Sequence, residues 1–348
     1  METCGIVGAG IIGQLSAFFL LERGVSSISI YETDSRPPAS WAGGGILSPL
    51  FPWRYSVFMN QLCDRAVPLY KSICARLQSL GYLPDGALHL SGMWMEVQED
   101  EVEIASAWAA SSLLQTCEEE RLIGGKSCHG FWFNDLGSIR NPWFLKALRS
   151  YLIDKGVVFV SQKVISWSER GGCAALHLES GTAKRFGRLI FACGAWVNEL
   201  VEFAPVFPVK GEILLYRLGS QAPSHIILAK EGYVIPRKNG DTLVGSTTRP
   251  GDDSTWPTVS GRWQLEKVAK LLLPGLDSAP DCHWAGVRPG TGRDYPYIGK
   301  VPNTVNVFLA AGHFRNGLVS APVTAELIAQ LVCGEHSSVG LAPYSLSP

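Results

Sequence analysis

Apolar positions open the chain as a short continuous run and then fall into a helical rhythm. Residues 5–7 read as a buried strand, and Ile11, Ile12, Leu15, Phe18, Phe19 and Leu20 then recur on one face of a helix predicted over 11–23 and closed by Gly24. A second apolar run, 27–31, reads as a strand that delivers Glu32 at its end. Leu62, Val67, Leu69, Ile73 and Leu77 predict a helix over 58–80, and 86–97 read as strands. Residues 99–120 read as an acid-rich helix with a solvated face, and Pro142 stands in the first turn of a helix predicted over 141–152. The rhythm then turns β-like: 209–216, 233–236 and 242–246 read as antiparallel strands, with turns at Asn239-Gly240 and Pro250-Gly251.

The first strand–helix joint changes this from a pattern to a chemistry. Gly8, Gly10 and Gly13 stand in GxGxxG spacing between the strand at 5–7 and the helix at 11–23. Gly8 makes the tight turn, Gly10 lets backbone approach a pyrophosphate, and Gly13 allows close helix–strand packing, with the N–H groups of Ile11 and Ile12 at the helix start facing the phosphates. Glu32 comes about twenty residues later, where a carboxylate accepts ribose hydroxyls and repels a 2′-phosphate, so NADP is disfavoured. Two decoys carry nothing. Gly125-Lys126-Ser127 ends like a phosphate loop, but Glu120 stands where that motif needs glycine, and Gly290 and Gly292 lack a third glycine and a following helix.

Two further stretches point to FAD over a nicotinamide. Residues 188–194 (RLIFACG) form an apolar strand ending in a small-residue turn, similar to the second dinucleotide-contacting strand of FAD-dependent oxidoreductases, with Ala192, Gly194 and Trp196 at its end. Residues 40–49 (SWAGGGILSP) supply a loop of Ser40, Trp41, Ala42, Gly43, Gly44, Gly45 and Leu47 in which small side chains let a flat ring lie near the backbone; three consecutive glycines also serve as a plain flexible turn.

Composition narrows the class. At 348 residues, with 46% hydrophobic content, the chain suits two interleaved domains. Thirty basic against 31 acidic residues give no reason to expect nucleic acid as a partner. No apolar run reaches the ~18 residues of a membrane span, and the N-terminus enters a strand too early for a signal peptide, so a cytoplasmic location is expected. Nine scattered cysteines without CxxC and seven histidines without HxH or HExxH imply neither a disulfide framework nor a metal. The expected fold is α/β (α+β overall): a Rossmann-like FAD-binding domain from 1–50, 141–204 and 282–340, interleaved with an antiparallel β-sheet substrate domain from 51–140 and 205–281. A ligand pocket between them is the expectation.

Across nearly its whole length the chain resembles the D-amino acid oxidase family of FAD enzymes, and within it the glycine oxidases of thiamine biosynthesis. The residues that carry this are GIVGAGIIG with Glu32, SWAGGGILSPLFPWRY (40–55), RNP (140–142), LIFACGAW (189–196), PVKGEILLY (208–216), GYVIPRKNG (232–240), LVGST (243–247), HWAGVRPGTGRDYPYIG (283–299) and AGHFRNGLVSAP (311–322). The resemblance implies that Arg288 clamps a substrate carboxylate, that Tyr233 donates a second hydrogen bond to it, and that Arg315 lies near flavin and substrate. A guanidinium suits the task because its planar fork meets a carboxylate with two parallel bonds. Each arginine also has a plain structural reading, as a salt bridge or a turn-stabilising donor. Val164, His313, Asn316, Gly317, Leu318 and Val319 join the implied cofactor set with Arg288 and Arg315. Residues 317–321 are expected to begin a C-terminal helix running to Leu331 whose N-terminus faces the flavin.

The activity that the resemblance implies is oxidative deamination of glycine, sarcosine or small D-amino acids. The Cα–H leaves as hydride to the flavin, no acid or base side chain is required, and oxygen restores the flavin with release of hydrogen peroxide. Thr248 departs from the apolar Met or Leu that glycine oxidases tend to carry there and makes the pocket wall more polar. Residues 287–300 contain no cysteine, so FAD is expected to be non-covalent. Homo-oligomerisation is a family expectation. A dehydrogenase passing electrons to a quinone or partner, including a cyanide-forming one, and a non-catalytic flavin-binding assembly factor remain as alternatives.

Overall fold

The computed structural model describes residues 3–33, 37–112, 114–202 and 205–346. A six-stranded sheet is built from Tyr297–Lys300, Val307–Ala311, Arg188–Phe191, Thr3–Val7, Ser27–Glu32 and Val158–Ser161, in that spatial order. All its neighbours pair in parallel except the edge strand Tyr297–Lys300. Such a sheet buries both faces, which explains the nearly unbroken apolar runs of its strands. Helices Ile11–Glu22, Asn141–Asp154 and Ala321–Cys333 share one core with it through Leu15, Phe18, Leu148, Leu152, Leu327 and Ile328. The carboxyl ends of its parallel strands converge on one edge, the usual seat of a nucleotide.

A nine-stranded sheet forms the other half, organised around the long strand Val206–Arg217. Thr116–Ile123, Lys126–Phe133, Met93–Glu96, Ile226–Ala229, Gly232–Pro236 and Asp241–Gly245 lead to it in spatial order. Cys282–Thr291 pairs with the long strand over ten residues, from Leu215 opposite Cys282 to Val206 opposite Thr291. A separate three-stranded sheet, Val164–Arg170, Cys173–Leu178 and Ala183–Phe186, packs on the nucleotide half.

Several expectations change. The segment 282–291, expected with the nucleotide half, belongs by its pairing to the large sheet. Conversely, the helix at 66–79, expected with the substrate half, packs Tyr70, Ile73, Cys74 and Leu77 into the nucleotide core. The boundary expected at 204 lies outside the described residues. The helix expected over 58–80 is two helices, Val57–Cys63 and Ala66–Ser79. Pro68 has no N–H for the carbonyl four residues back, so it is accommodated only in the first turn of a new helix. The acid-rich helix expected to 120 ends at Ser111, and Thr116–Ile123 is a strand instead. Gly124 and Gly125, with φ of +57° and +82°, turn it back onto Lys126–Phe133. Two positive φ values in a two-residue loop are what a tight hairpin requires. The C-terminal helix begins at Ala321, not at 317–321 throughout, and ends at Cys333 before Gly334 in the left-handed conformation.

Candidate functional site

One large cavity, with an empty volume of about 1730 Å³ counting the part open to solvent, runs from the carboxyl edge of the six-stranded sheet to the face of the nine-stranded one. At the sheet edge the wall is backbone. Gly8 has φ +113°, and a Cβ on it would lie 2.3 Å from the Ala192 carbonyl oxygen, so the turns after the paired strands Thr3–Val7 and Arg188–Phe191 touch there. A Cβ on Gly13 would lie 1.9 Å from the Gly8 carbonyl oxygen, so the helix seats directly on the turn. Those close approaches leave the N-terminal turn of the helix facing the cavity, with Gly8, Gly10, Ile11 and Ile12 on its wall. Ser40 Oγ accepts the Ile11 N–H at 3.0 Å and ties the small-residue loop to that helix start. These features fit a dinucleotide cofactor.

The loop itself is held from behind. Asn141 Nδ2 donates to the carbonyls of Ser40 (2.9 Å) and Gly43 (2.8 Å), Trp284 Nε1 to Ala42 (2.9 Å) and Arg237 Nη2 to Gly44 (2.8 Å). The Ile139 N–H donates to Gly45 at 2.8 Å. Residues 40–45 are therefore a fastened platform and not a slack turn. Arg237 also donates to Ser138 Oγ and the Ile139 carbonyl. Burial, with Arg140 nearby, pushes its guanidinium down to about 10.

On the large sheet the wall is side chains. Arg288 projects from Cys282–Thr291 and crosses Gly211 of the paired long strand, where a Cβ would meet its Nη1, Cζ and Nη2 at 2.0–2.2 Å. Its Nη2 donates to Ser246 Oγ at 2.9 Å and its Nη1 to the Thr247 carbonyl at 3.1 Å. Tyr233, in the strand Gly232–Pro236, lies over Gly245 and beside Gly44: a Cβ on Gly44 would be 3.2 Å from its hydroxyl. Burial lowers the Arg288 pKa, the nearby Tyr233 phenol opposes that, and the charge of Arg315 adds to it. The guanidinium nonetheless remains protonated. Arg315 stands at the cavity wall with its Nη2 donating to Thr248 Oγ1 at 2.6 Å. Among the described residues no carboxylate lies within ion-pair distance of Arg288 or Arg315.

His313 is buried, with Nε2 3.2 Å from Thr324 Oγ1, and desolvation pushes its pKa down to about 3. It is a neutral imidazole at ordinary pH and supplies no titrating base. Cys193, also on the wall, has its thiol pushed up to about 12 by burial. Glu32 forms an ion pair with Arg149 at 2.5 Å, an arrangement that fixes the carboxylate at the sheet edge.

The cavity gathers Gly8, Gly10, Ile11, Ile12, Glu32, Ser40, Gly43, Gly44, Gly45, Val164, Ala192, Gly194, Trp196, Tyr233, Arg288, His313, Arg315, Gly317 and Leu318. The other expected residues lie behind or beside it. Gly13 serves the helix seat, Leu47 the nucleotide core, and Val319 a cluster with Met59, Cys63 and Ala66. Trp41 is 49% exposed and faces solvent, Ala42 packs against Gly286, Asn316 is buried off the wall, and Thr248 touches Arg315. Sequence reasoning leaves out Asn141, Arg149, Gly211, Arg237, Ser246, Thr247 and Trp284. The RNP and PVKGE blocks already flag the Asn141 and Gly211 segments; nothing local marks Arg149 or the roles of Arg237 and Trp284. Among the described residues there is no group of three or more His, Cys, Asp or Glu able to hold a metal and no helix long and apolar enough to cross a membrane.

Residues 4–331 match the family described as DAO: FAD dependent oxidoreductase. The chain is 34% identical to a glycine oxidase of Pseudomonas aeruginosa, over 99% of this chain and 98% of that protein. It is 28% identical to the bifunctional protein ThiO/ThiG of Nostoc sp., spanning 98% of this chain but 54% of that longer protein. The crystal structure of glycine oxidase from Geobacillus kaustophilus superposes with a TM-score of 0.90 at 25% identity, covering 99% of this chain and 98% of that one.

Proposed function

The chain belongs to the DAO family of FAD-dependent oxidoreductases, and from that premise we propose that it oxidises glycine, together with sarcosine and small D-amino acids, at the cavity wall formed by Arg288 and Tyr233. The reaction is glycine, oxygen and water giving glyoxylate, ammonia and hydrogen peroxide, with the imine as first product available for making the thiazole of thiamine. The observation that carries this reading is a charged guanidinium inside the cavity whose bonds are to Ser246 and Thr247 alone, with no carboxylate among the described residues to satisfy it.

Arg288 presents its fork to the α-carboxylate, and Ser246 and Thr247 hold that fork from the far side so that little rotamer freedom is lost on binding. The Tyr233 hydroxyl donates a further bond and sets the tilt of the substrate. Gly8, Gly10, Ser40, Glu32 and the platform at 43–45 would hold FAD, which would supply a hydride acceptor that oxygen can reoxidise. With the carboxylate fixed, orientation of the Cα–H is the protein's main contribution. The amine binds in its neutral form after losing its proton to solvent, since His313 stays neutral and no other base among the described residues stands at this end of the cavity.

FAD is non-covalent in this reading, supported by the absence of cysteine from 287–300 and by the unreactive state of Cys193. Oxygen and a small amine are its small-molecule partners. A cytoplasmic enzyme that self-associates completes the proposal; the exposed Trp256, Val259 and Trp263, close together in sequence, supply apolar surface for the latter. The test is anaerobic: glycine added to the yellow protein should bleach the flavin absorbance, and air should restore it with peroxide release. Bleaching without recovery identifies a dehydrogenase, and no bleaching with any small amine removes the catalytic reading.

A further inference from the structure

The cavity holds two guanidiniums where one carboxylate needs one. Arg288 is fixed by Ser246 and Thr247, and Arg315 by Thr248, so three consecutive residues anchor both. Residues two apart on an extended chain are separated by at most about 7 Å. Arg288 commits two of its five N–H donors to the protein and Arg315 one, which leaves donors on each for a ligand. The acidic residues of the wall, Glu32 and Glu199, stand at the carboxyl edge of the parallel sheet, at the nucleotide end. Among the described residues no acid lines the cavity beside the pair, and the nearest indication of one is Asp294, which with Arg315 acts on Tyr55. Arg315 is also exposed at the wall, so a second charged group of a ligand can reach it without full loss of hydration.

We propose that Arg315, oriented by Thr248, forms a second anion subsite, and that the preferred substrates are amino acids whose second carboxylate is separated from the first by a linker of two or three atoms, such as D-aspartate or iminodiacetate. This rests on the reading of Arg288 as the α-carboxylate clamp. Anchors on residues at most about 7 Å apart suit two acid groups separated by a short linker, one at Arg288 and the other at Arg315. Sarcosine and D-alanine fill only the first. Thr248 is a positioning residue here: its hydroxyl accepts from Arg315 Nη2 and fixes where the second guanidinium points. An apolar side chain at this position offers no such acceptor and leaves that guanidinium unaimed.

The test compares kcat/KM for iminodiacetate against sarcosine, and for D-aspartate against D-alanine, on the holoenzyme. An advantage of about tenfold or more for at least one diacid, falling as salt is raised, is expected, because charge-assisted bonds to an exposed guanidinium are screened. Which pair shows the advantage tells whether the second carboxylate sits on nitrogen or on the side chain. Arg315→Gln should bring the ratio down by about tenfold, and Thr248→Val should lower it less, through KM and not kcat. If glycine and sarcosine are oxidised but neither diacid is preferred, the subsite is overturned while the oxidase stands. If no amine is oxidised, the oxidase reading fails, and the subsite is read by binding alone. Succinate should then quench the intrinsic protein fluorescence at about a tenfold lower concentration than propionate, and equal affinities overturn it.

Discussion

At the carboxyl edge of the six-stranded sheet the cavity wall is made by main chain: Gly8 pressed on Ala192, Gly13 pressed on Gly8, and a glycine platform fastened by its carbonyls. On the nine-stranded sheet it is made by side chains: Arg288 held by Ser246, and Tyr233 lying across Gly245. The two regions are vulnerable in opposite ways. The first is disturbed by adding an atom and is indifferent to most side-chain chemistry. The second is disturbed by removing a functional group, and its framework survives the loss. A dinucleotide presents phosphates and sugars that backbone N–H groups serve well, whereas one small carboxylate needs a concentrated charge.

The largest expected effect lies on the first side. Gly13→Ala places a methyl 1.9 Å from the Gly8 carbonyl oxygen, where both partners are backbone and neither has a rotamer to yield. The helix must lift off the turn, and we expect colourless or insoluble protein. Purification of a yellow variant with normal thermal stability would break the comparison. Next is Arg288→Ala, which deletes the clamp without touching the platform. Two charge-assisted bonds at roughly 1.5–3 kcal/mol each give a loss of about a hundredfold to ten-thousandfold in kcat/KM for glycine, with FAD content unchanged. Wild-type kinetics in that variant would remove Arg288 from the site.

Gly211→Ala sharpens the contrast, because it adds an atom on the side-chain region. The methyl would lie 2.0–2.2 Å from the Arg288 guanidinium, which is the far end of a flexible side chain and can move. The fold is expected to persist and the clamp to shift, raising KM for glycine by about tenfold, since a misplaced fork forfeits roughly one charged hydrogen bond. Loss of FAD or of stability comparable to Gly13→Ala would show that the two regions respond alike.

The same division explains what the sequence discloses. The nucleotide end is local: strand, three glycines, helix and Glu32 lie within 32 residues and leave a spacing that can be read directly. The platform is visible as a run of small residues, but its fastenings are not. Asn141, Arg237 and Trp284 reach it from 98, 193 and 242 residues away. Trp41, expected on the cofactor, is half exposed and absent from the cavity wall, a placement that its position within the small-residue run does not disclose. The position of Cys282–Thr291, just ahead of nucleotide-half segments, suggests that half; its actual partner is the long strand some seventy residues earlier, a pairing that no local pattern encodes. The helix expected through 120 stops short for a local reason, since alternation in Thr116–Ile123 and two turn glycines outweigh the helix preference of its glutamates.

His313 sits where the regions meet, on the cavity wall between the strand Val307–Ala311 and the C-terminal helix. Burial holds its pKa at about 3, against about 6.5 in an unfolded chain. Between these values the unfolded chain binds a proton that the folded one refuses, so protonation favours unfolding. The stabilisation is complete above about pH 6.5 and is lost progressively as the pH falls towards 3. Thermal midpoints of wild type and His313→Gln measured from pH 8 to pH 4 should therefore converge as the pH falls, because the glutamine variant lacks this proton-linked loss. The variant is expected to be less stable near neutrality, where the neutral imidazole and Thr324 Oγ1 are in contact. Because the ring stays neutral above about pH 5, the same change should leave the alkaline limb of the glycine rate profile in place, as that limb belongs to the substrate amine. Parallel stability curves for the two proteins would mean that the imidazole is solvated, and that the wall between the backbone region and the side-chain region is open there.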